Sequence, residues 1–170
     1  MRQRTGRKTT ADTMKKDRRT TTIVEAATQH AALCYRRTTA GQCEFLLITS
    51  RDTGRWVLPK GWPKKGEPGG RTALREAFEE AGVVGALIEG CVGVYGYDKV
   101  MPFGPARPCA VAVHGVVVAH LAFNFPEKDE RHRAWFAPDL AAEAVAEPEL
   151  KMLISLFRAP ESQGFTSGKG

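Results

Sequence analysis

The sequence predicts a single α/β (α+β) domain in which helices cover the faces of a mixed sheet. The chain has 170 residues, a common length for one domain. Apolar residues make up 42% of the chain, which is enough to fill a core. Strand-like segments come first, then one helix, then more strands and two final helices. This order is typical of a sheet with helices packed on it.

The first part of the chain contains three strand-like segments. They span residues 24–37, 43–49 and 56–58, and a polar turn at 38–42 joins the first two. Residues 59–70 hold three prolines and four glycines, and we expect a long irregular loop there. Loops of this length in compact domains are usually functional.

The second part begins with a predicted helix over residues 71–81, which Gly82 ends because glycine readily adopts the left-handed conformation. Strand-like runs follow at 86–97 and 109–123, and a short strand is predicted at 133–137. Pro138 is a good first helical residue, so helices are expected at 138–146 and 149–158.

The net charge of +6 is confined to the N-terminal tail. Residues 1–22 contain eight basic and two acidic residues, so the rest of the chain is neutral. We expect this tail to be disordered in isolation, the domain to span 23–160, and residues 161–170 to be flexible. The tail is either an arm for nucleic acid or polyphosphate, or a solvated extension, which is the interpretation that we favour.

Composition argues against a membrane or exported protein. The longest apolar stretch, residues 111–125, is interrupted by His114 and His120 and is too short to span a bilayer. The first residues lack the apolar segment of a secretory leader, so the cytoplasm is the expected location. The four cysteines form no C-x-x-C pair, and we expect them to act as small buried hydrophobes.

The helix at 71–81 carries an unusual acidic face. The apolar face that should dock on the sheet is formed by Leu74, Ala77, Phe78 and Ala81. Glu76, Glu79 and Glu80 lie opposite, where each like-charge pair costs about 0.2–0.5 kcal/mol. Carboxylates are ligands that Mg²⁺ and Mn²⁺ prefer, so a metal site is one interpretation. A solvated glutamate-rich face is the other.

The residues around this helix resemble a known signature. GWPKKGEPGGRTALREAFEEAGV, from Gly61, resembles the Nudix hydrolase pattern G-x5-E-x7-R-E-U-x-E-E-x-G-U at every charged and glycine position. Only Ala77 is smaller than the usual aliphatic residue. The resemblance implies a Nudix-type α/β/α sandwich with a mixed, curved sheet. It also implies an enzyme that cleaves pyrophosphate bonds with Mg²⁺ or Mn²⁺.

The resemblance also implies a role for each motif residue. Glu79 and Glu80 would be the principal metal ligands, and Glu76 would be either a ligand or the base that deprotonates the attacking water. The Lys60 carbonyl would be available to the metal, and Gly61 would let the backbone approach the metal or a phosphate.

Two further motif residues complete the implied catalytic set. Arg75 would pair with Glu67 and fix the loop against the helix. From a late loop, Glu127 or Glu130 is a candidate additional metal ligand.

Segments outside the signature resemble the diphosphoinositol polyphosphate phosphohydrolase branch, which also hydrolyses diadenosine polyphosphates. They are AALCYRR (31–37), LLITSRDTGRWVLPKG (46–61) and RAWF (133–136). This implies that Ser50 and Arg51 contact substrate phosphates. The triple glycine of that branch is replaced here by Lys60, Gly61 and Trp62, which leaves the substrate open.

Basic residues crowd the entrance loop of the otherwise neutral body, and they favour a polyanionic small molecule as substrate. The substrate-binding candidates beyond Ser50 and Arg51 are Arg55, Lys60, Lys64 and Trp62, with Lys65, Lys99, Arg131 and Arg133 as further cations. Three alternatives remain open: an RNA-end pyrophosphohydrolase or RNA-associated protein that uses the tail, a sanitising nucleoside triphosphate pyrophosphatase, and a non-catalytic sensor. The oligomeric state is not predicted.

Overall fold

A computed structural model describes residues 28–99 and 103–160. The predicted tails at 1–22 and 161–170, and the first residues of the predicted first strand, lie outside this range. Within it, a mixed sheet is flanked by helices. The elements are β1 (Thr28–Arg37), β2 (Cys43–Thr49), β3 (Trp56–Val57), β4 (Lys60–Gly61), α1 (Gly69–Ala81), β5 (Val83–Leu87), β6 (Gly93–Lys99), β7 (Arg107–Leu121), β8 (Arg133–Phe136), α2 (Pro138–Ala144) and α3 (Pro148–Leu156).

Strand β1 lies at the centre of the sheet. It runs parallel to β7, from the pair Thr28 and Ala110 to the pair Tyr35 and Val117, and antiparallel to β2. The main strand order is β3-β2-β1-β7-β5, while β4 pairs with β1, β6 with β7 and β8 with β2. The predicted mixed sheet is therefore confirmed.

Alternation along β1 builds a core on each face of the sheet. Leu33 and Tyr35 face α2 and α3, in a cluster that includes Leu150. Ala32 and Cys34 face α1 on the opposite side, in a second buried cluster. The three layers that result agree with the predicted α/β/α sandwich.

The predicted segments at 86–97 and 59–70 differ from the structure. The run at 86–97 is two strands, β5 and β6, because the chain turns between them at Gly90, which has a left-handed φ of 86°. The irregular loop at 59–70 is shorter than predicted. Lys60 and Gly61 pair antiparallel with Ala31 and His30 of β1, so a short strand forms inside it.

Helix α1 ends at Gly82 as predicted, with a left-handed φ of 67°. Its orientation differs from the prediction, because Phe78 is 39% exposed. Ala77 and Ala81 are buried as predicted, Leu74 is partly buried, and Ala73 completes the buried stripe. These small side chains let α1 pack closely on the sheet with Glu80 turned inward, where only 8% of that residue is exposed.

The cysteines are only partly buried as predicted. Cys34 and Cys109 are buried, Cys43 is half-buried and Cys91 is exposed, since Cys91 lies in the turn between β5 and β6. In the described part of the chain, no helix combines the length and apolar character needed to cross a bilayer.

Candidate active site

Arg75 of α1 gathers three of the acidic side chains around one guanidinium. Its Nε donates to Glu67 Oε1 at 3.0 Å, and its Nη1 donates to Glu76 Oε1 at 2.6 Å and to Glu79 Oε2 at 3.1 Å. The predicted pairing of Arg75 with Glu67 is present. Hydrogen bonds from Arg75, and from the Lys64 backbone N–H, lower the pKa of Glu67 to about 2. Glu67 is therefore a fixed anion that holds the loop against the helix.

Glu80 is held apart from that group by a different arginine. Its Oε2 accepts a hydrogen bond from the Lys60 backbone N–H at 2.9 Å, and its Oε1 pairs with Arg131. Burial raises the pKa of Glu80 to about 7, although the charge of Arg131 opposes that shift. Arg131, itself 7% exposed, also donates to Glu127 Oε2 at 2.7 Å and to the Thr49 carbonyl at 3.1 Å.

Glycine at position 61 allows the Glu76 carboxylate to lie against β4. A Cβ at Gly61 would lie only 2.2 Å from Glu76 Oε1 and 2.6 Å from Oε2. Such distances are far below van der Waals contact, so a side chain at this position would displace the carboxylate. The close approach allowed by Gly61 in this structure is thus to a carboxylate of the motif.

A cavity of about 520 Å³ opens beside Glu80. Predicted substrate-binding residues Ser50, Arg51, Arg55 and Lys60 line it, together with Lys99 and Arg131. The structure therefore brings together residues from the β2–β3 loop, β4, α1, β6 and the loop before β8. Such a volume falls within the range of about 300–1,000 Å³ that is typical of small-molecule sites.

The cavity cations differ in how they are held. Arg51 pairs with Glu130 at 3.1 Å but remains 57% exposed, and Arg55 is tied to Glu147 at 3.0 Å. The Lys60 ammonium lies 5.3 Å from the centre of the Tyr97 ring. Burial lowers the pKa of Lys60.

The other two predicted substrate-binding residues, Trp62 and Lys64, do not line the cavity and lie beside Arg75. The Trp62 carbonyl accepts from Arg75 Nη2 at 3.0 Å, while its ring is 5.1 Å from the Lys99 ammonium. The Lys64 ammonium lies 3.9 Å from Glu79 Oε1. Both residues therefore flank the acidic face.

The donor set suits a hard divalent cation, because it consists of carboxylates beside the backbone of β4. Among residues 28–99 and 103–160, however, no three histidine, cysteine or acidic side chains converge into a ready metal cluster. Arg75 forms ion pairs with Glu76 and Glu79, and Arg131 forms one with Glu80. The residues therefore suit such an ion chemically, and in this structure their carboxylates are bonded to arginines.

The two late acids are placed differently. The Glu127 backbone N–H donates to the Glu79 carbonyl at 3.0 Å, which ties the late loop to α1. Glu130 instead pairs with Arg51. Glu127 is therefore the late acid that lies beside the motif helix.

Sequence reasoning missed two features of this site. It named Arg131 only as a possible added cation and not as the partner of Glu80, which lies 51 residues earlier in the chain. It also missed the hydrogen bond of 2.7 Å from the Tyr97 hydroxyl to Gln29 Oε1 on the cavity wall. Polar side chains within strand patterns were the available signal for Gln29 and Tyr97.

A family model described as NUDIX domain matches residues 27–157. "Nudix hydrolase 16, mitochondrial" of Arabidopsis thaliana is 31% identical over 111 residues, which cover 64% of this chain and 61% of that protein. "Diphosphoinositol polyphosphate phosphohydrolase 3-beta" of Bos taurus is 45% identical over 58 residues, 34% of each chain. The matches thus span about three fifths and one third of these relatives.

Solved structures show the same fold. A C. elegans Ap4A hydrolase binary complex superposes with a TM-score of 0.59 at 22% identity, covering 76% of this chain and 93% of that one. An E. coli dihydroneopterin triphosphate pyrophosphohydrolase gives a TM-score of 0.60 at 18% identity, covering 77% and 94%. The predicted fold class is confirmed by these matches.

Proposed function

This chain belongs to the Nudix family, and from that premise we propose that it hydrolyses a phosphoric anhydride bond in a phosphate-rich small molecule. The substrate class that we propose is a dinucleoside polyphosphate or a diphosphoinositol polyphosphate, with Mg²⁺ or Mn²⁺ as cofactor. The names of a diphosphoinositol polyphosphate phosphohydrolase and an Ap4A hydrolase among the similar proteins support this choice.

The observation that carries the proposal is the cavity beside Glu80. It joins a carboxylate of the motif to basic side chains from separate elements: Arg51, Lys60, Lys99 and Arg131. The lining has five basic side chains against three acidic ones, Asp52, Glu80 and Asp98. This excess of cations favours a ligand with many phosphates, since each phosphate adds negative charge that such a cavity attracts.

The motif carboxylates would hold the cation. Glu76, Glu79 and Glu80 supply the anionic oxygens, and the backbone at Lys60 and Gly61 lies beside them. A bound divalent cation would neutralise phosphate charge and make water a stronger nucleophile. Glu76 acts either as a further ligand or as the base that accepts the proton of the attacking water, and Gly61 gives its carboxylate the space to do so.

The other site residues bind and position. Ser50, Arg51 and Lys60 hold the distal phosphates by hydrogen bonds and charge. Arg75 and Glu67 fix the loop on α1, which places the carboxylates. Arg55, tied to Glu147 at the start of α3, shapes the cavity wall. Trp62 and Lys64 flank the acidic face, where they can cover a bound substrate.

A substrate panel tests the proposal. The chain is incubated with Mg²⁺ or Mn²⁺ and with diadenosine pentaphosphate, a diphosphoinositol pentakisphosphate, ADP-ribose or ATP, and products are identified by mass. We expect kcat/KM to be at least tenfold higher for the first two compounds than for ADP-ribose. Glu79→Gln is the inactive control.

Two outcomes would contradict the substrate class. Preferential cleavage of ATP would indicate a nucleoside triphosphate pyrophosphatase. Preferential cleavage of 5′-triphosphorylated RNA, lost when residues 1–22 are deleted, would indicate an RNA-directed enzyme that uses the basic tail.

A further inference from the structure

We propose that Arg131 is an internal counterion of Glu80 and must release this carboxylate before a divalent cation binds there. Arg131 would thereby set the metal affinity of the site as a positioning residue. The inference rests on the proposed function in one respect, the assignment of Glu80 as a metal ligand.

The first argument is that both oxygens of Glu80 are engaged. Oε2 accepts the Lys60 N–H at 2.9 Å, and Oε1 pairs with Arg131. The Glu80 side chain is 9% exposed and that of Arg131 is 7% exposed, so solvent screens this pair weakly. A divalent cation on Oε1 would lie against the guanidinium and be repelled by it. Binding at Glu80 therefore requires Arg131 to withdraw.

The second argument is that Arg131 keeps other hydrogen-bond acceptors when it releases Glu80. Its Nε is held by Glu127 Oε2 at 2.7 Å, and its Nη1 by the Thr49 carbonyl at 3.1 Å. Only the Nη2 group bonds Glu80, so the other two contacts can keep the side chain in the site once that bond is broken. The same side chain lines the cavity beside Ser50 and Arg51. The released Nη2 would thus face the space that we assign to substrate phosphates.

The third argument is that the arrangement compensates a buried charge. An uncompensated carboxylate in this position is strongly unfavourable, and removing one partner of a buried pair usually destabilises a fold. Arg131 satisfies Glu80 when no cation is bound, and the cation satisfies it afterwards. Arg131 and the cation therefore compete for one ligand.

The test compares Mn²⁺ binding to the metal-free full chain and its variants, measured by isothermal titration calorimetry without substrate. Arg131→Met removes the competitor, so we expect Mn²⁺ to bind at least tenfold more tightly than to the wild type. The melting temperature of metal-free Arg131→Met should fall and then recover with Mn²⁺. Lys128→Met is the matched control, since it removes one positive charge from the same loop at an exposed residue whose side chain contacts Asn124 and the Phe123 ring. Its affinity should stay within twofold of the wild type.

Arg131→Lys separates direct competition from long-range repulsion. Lysine keeps the charge but cannot bridge Glu80, Glu127 and the Thr49 carbonyl at once. We expect its Mn²⁺ affinity to rise at least threefold, whereas a purely long-range charge effect would leave it unchanged. Arg131→Lys also decides the matter if Arg131→Met does not fold without metal.

The outcomes separate this inference from the proposed function. If the wild type binds Mn²⁺ and hydrolyses its substrate, but neither Arg131 variant binds Mn²⁺ more tightly, the counterion role is overturned and the function stands. If neither the wild type nor any variant binds Mn²⁺ at millimolar concentration, the metal-dependent function itself fails.

Discussion

Replacing Gly61 with alanine should lower the catalytic rate strongly without unfolding the protein. The added Cβ would lie 2.2 Å from Glu76 Oε1 and 2.3 Å from its carboxyl carbon, so the carboxylate must move by about 1 Å to reach contact distance. The end of a glutamate side chain can make that shift at little cost to the fold. A displacement of about 1 Å at a reacting group can reduce the rate by about 10²-fold, or about 2.7 kcal/mol.

The assay is kcat for the best substrate of the panel, beside a thermal melt of each variant. We expect Gly61→Ala to lower kcat about 10²-fold while the melting temperature changes little. Gly96→Ala is the matched control, because its nearest neighbour would be a carbonyl oxygen 4.0 Å away, and its activity should be unchanged. In a Glu76→Asp background the shorter side chain relieves the overlap, so the same substitution should cost less than tenfold. A kcat within threefold of the wild type in Gly61→Ala would refute the steric reasoning.

Three further predictions concern the metal and the phosphates. Glu79→Gln or Glu80→Gln should lower kcat by 10²-fold or more, on the order of 3 kcal/mol, and activity within threefold of the wild type would count against the metal assignment. Mg²⁺ or Mn²⁺ should raise the melting temperature of the wild type by mass action, and the double substitution Glu79→Gln with Glu80→Gln should abolish that rise. Arg51→Ala should lower kcat/KM at least tenfold for a pentaphosphate-bridged dinucleotide but under threefold for ADP-ribose; an equal loss for both would assign Arg51 to the fold or to the shared pyrophosphate.

Local spacing explains what could be predicted from the sequence. The pairing of Glu67 with Arg75 spans eight residues within one loop and helix, and Gly82 ends that helix by its own backbone preference. The parallel pairing of β1 and β7 is non-local, yet the order of strands and helices already indicated a mixed sheet. Features that depend on a single segment, or on the order of the elements, can therefore be predicted from the sequence.

Tertiary packing determines the features that could not be predicted from the sequence. The helical period alone placed Phe78 with the buried residues, but the stripe of small alanines decides how α1 rotates on the sheet, and Phe78 is left exposed. That rotation is also what buries Glu80. Its partner Arg131 comes from a loop 51 residues away, and the periodicity of a helix or strand says nothing about contacts between residues so far apart in the sequence.

The same contacts change the reason for expecting a metal. On the sequence alone, Glu76, Glu79 and Glu80 are like charges that repel one another on one face of a helix, and a bound cation would relieve that repulsion. In the structure two arginines neutralise them, so repulsion between the glutamates is not left for a metal to relieve. What distinguishes the site is instead the desolvation cost of a buried ion pair, because Arg131 and Glu80 are both almost fully buried. Hydrophobic residues of similar size at these positions would stabilise the fold as well or better. The buried pair of Arg131 and Glu80 opens onto a cavity lined with cations, and an exchange of partners explains it better. In that exchange the Glu80 carboxylate leaves the guanidinium for a bound cation, and the Arg131 guanidinium then binds a phosphate.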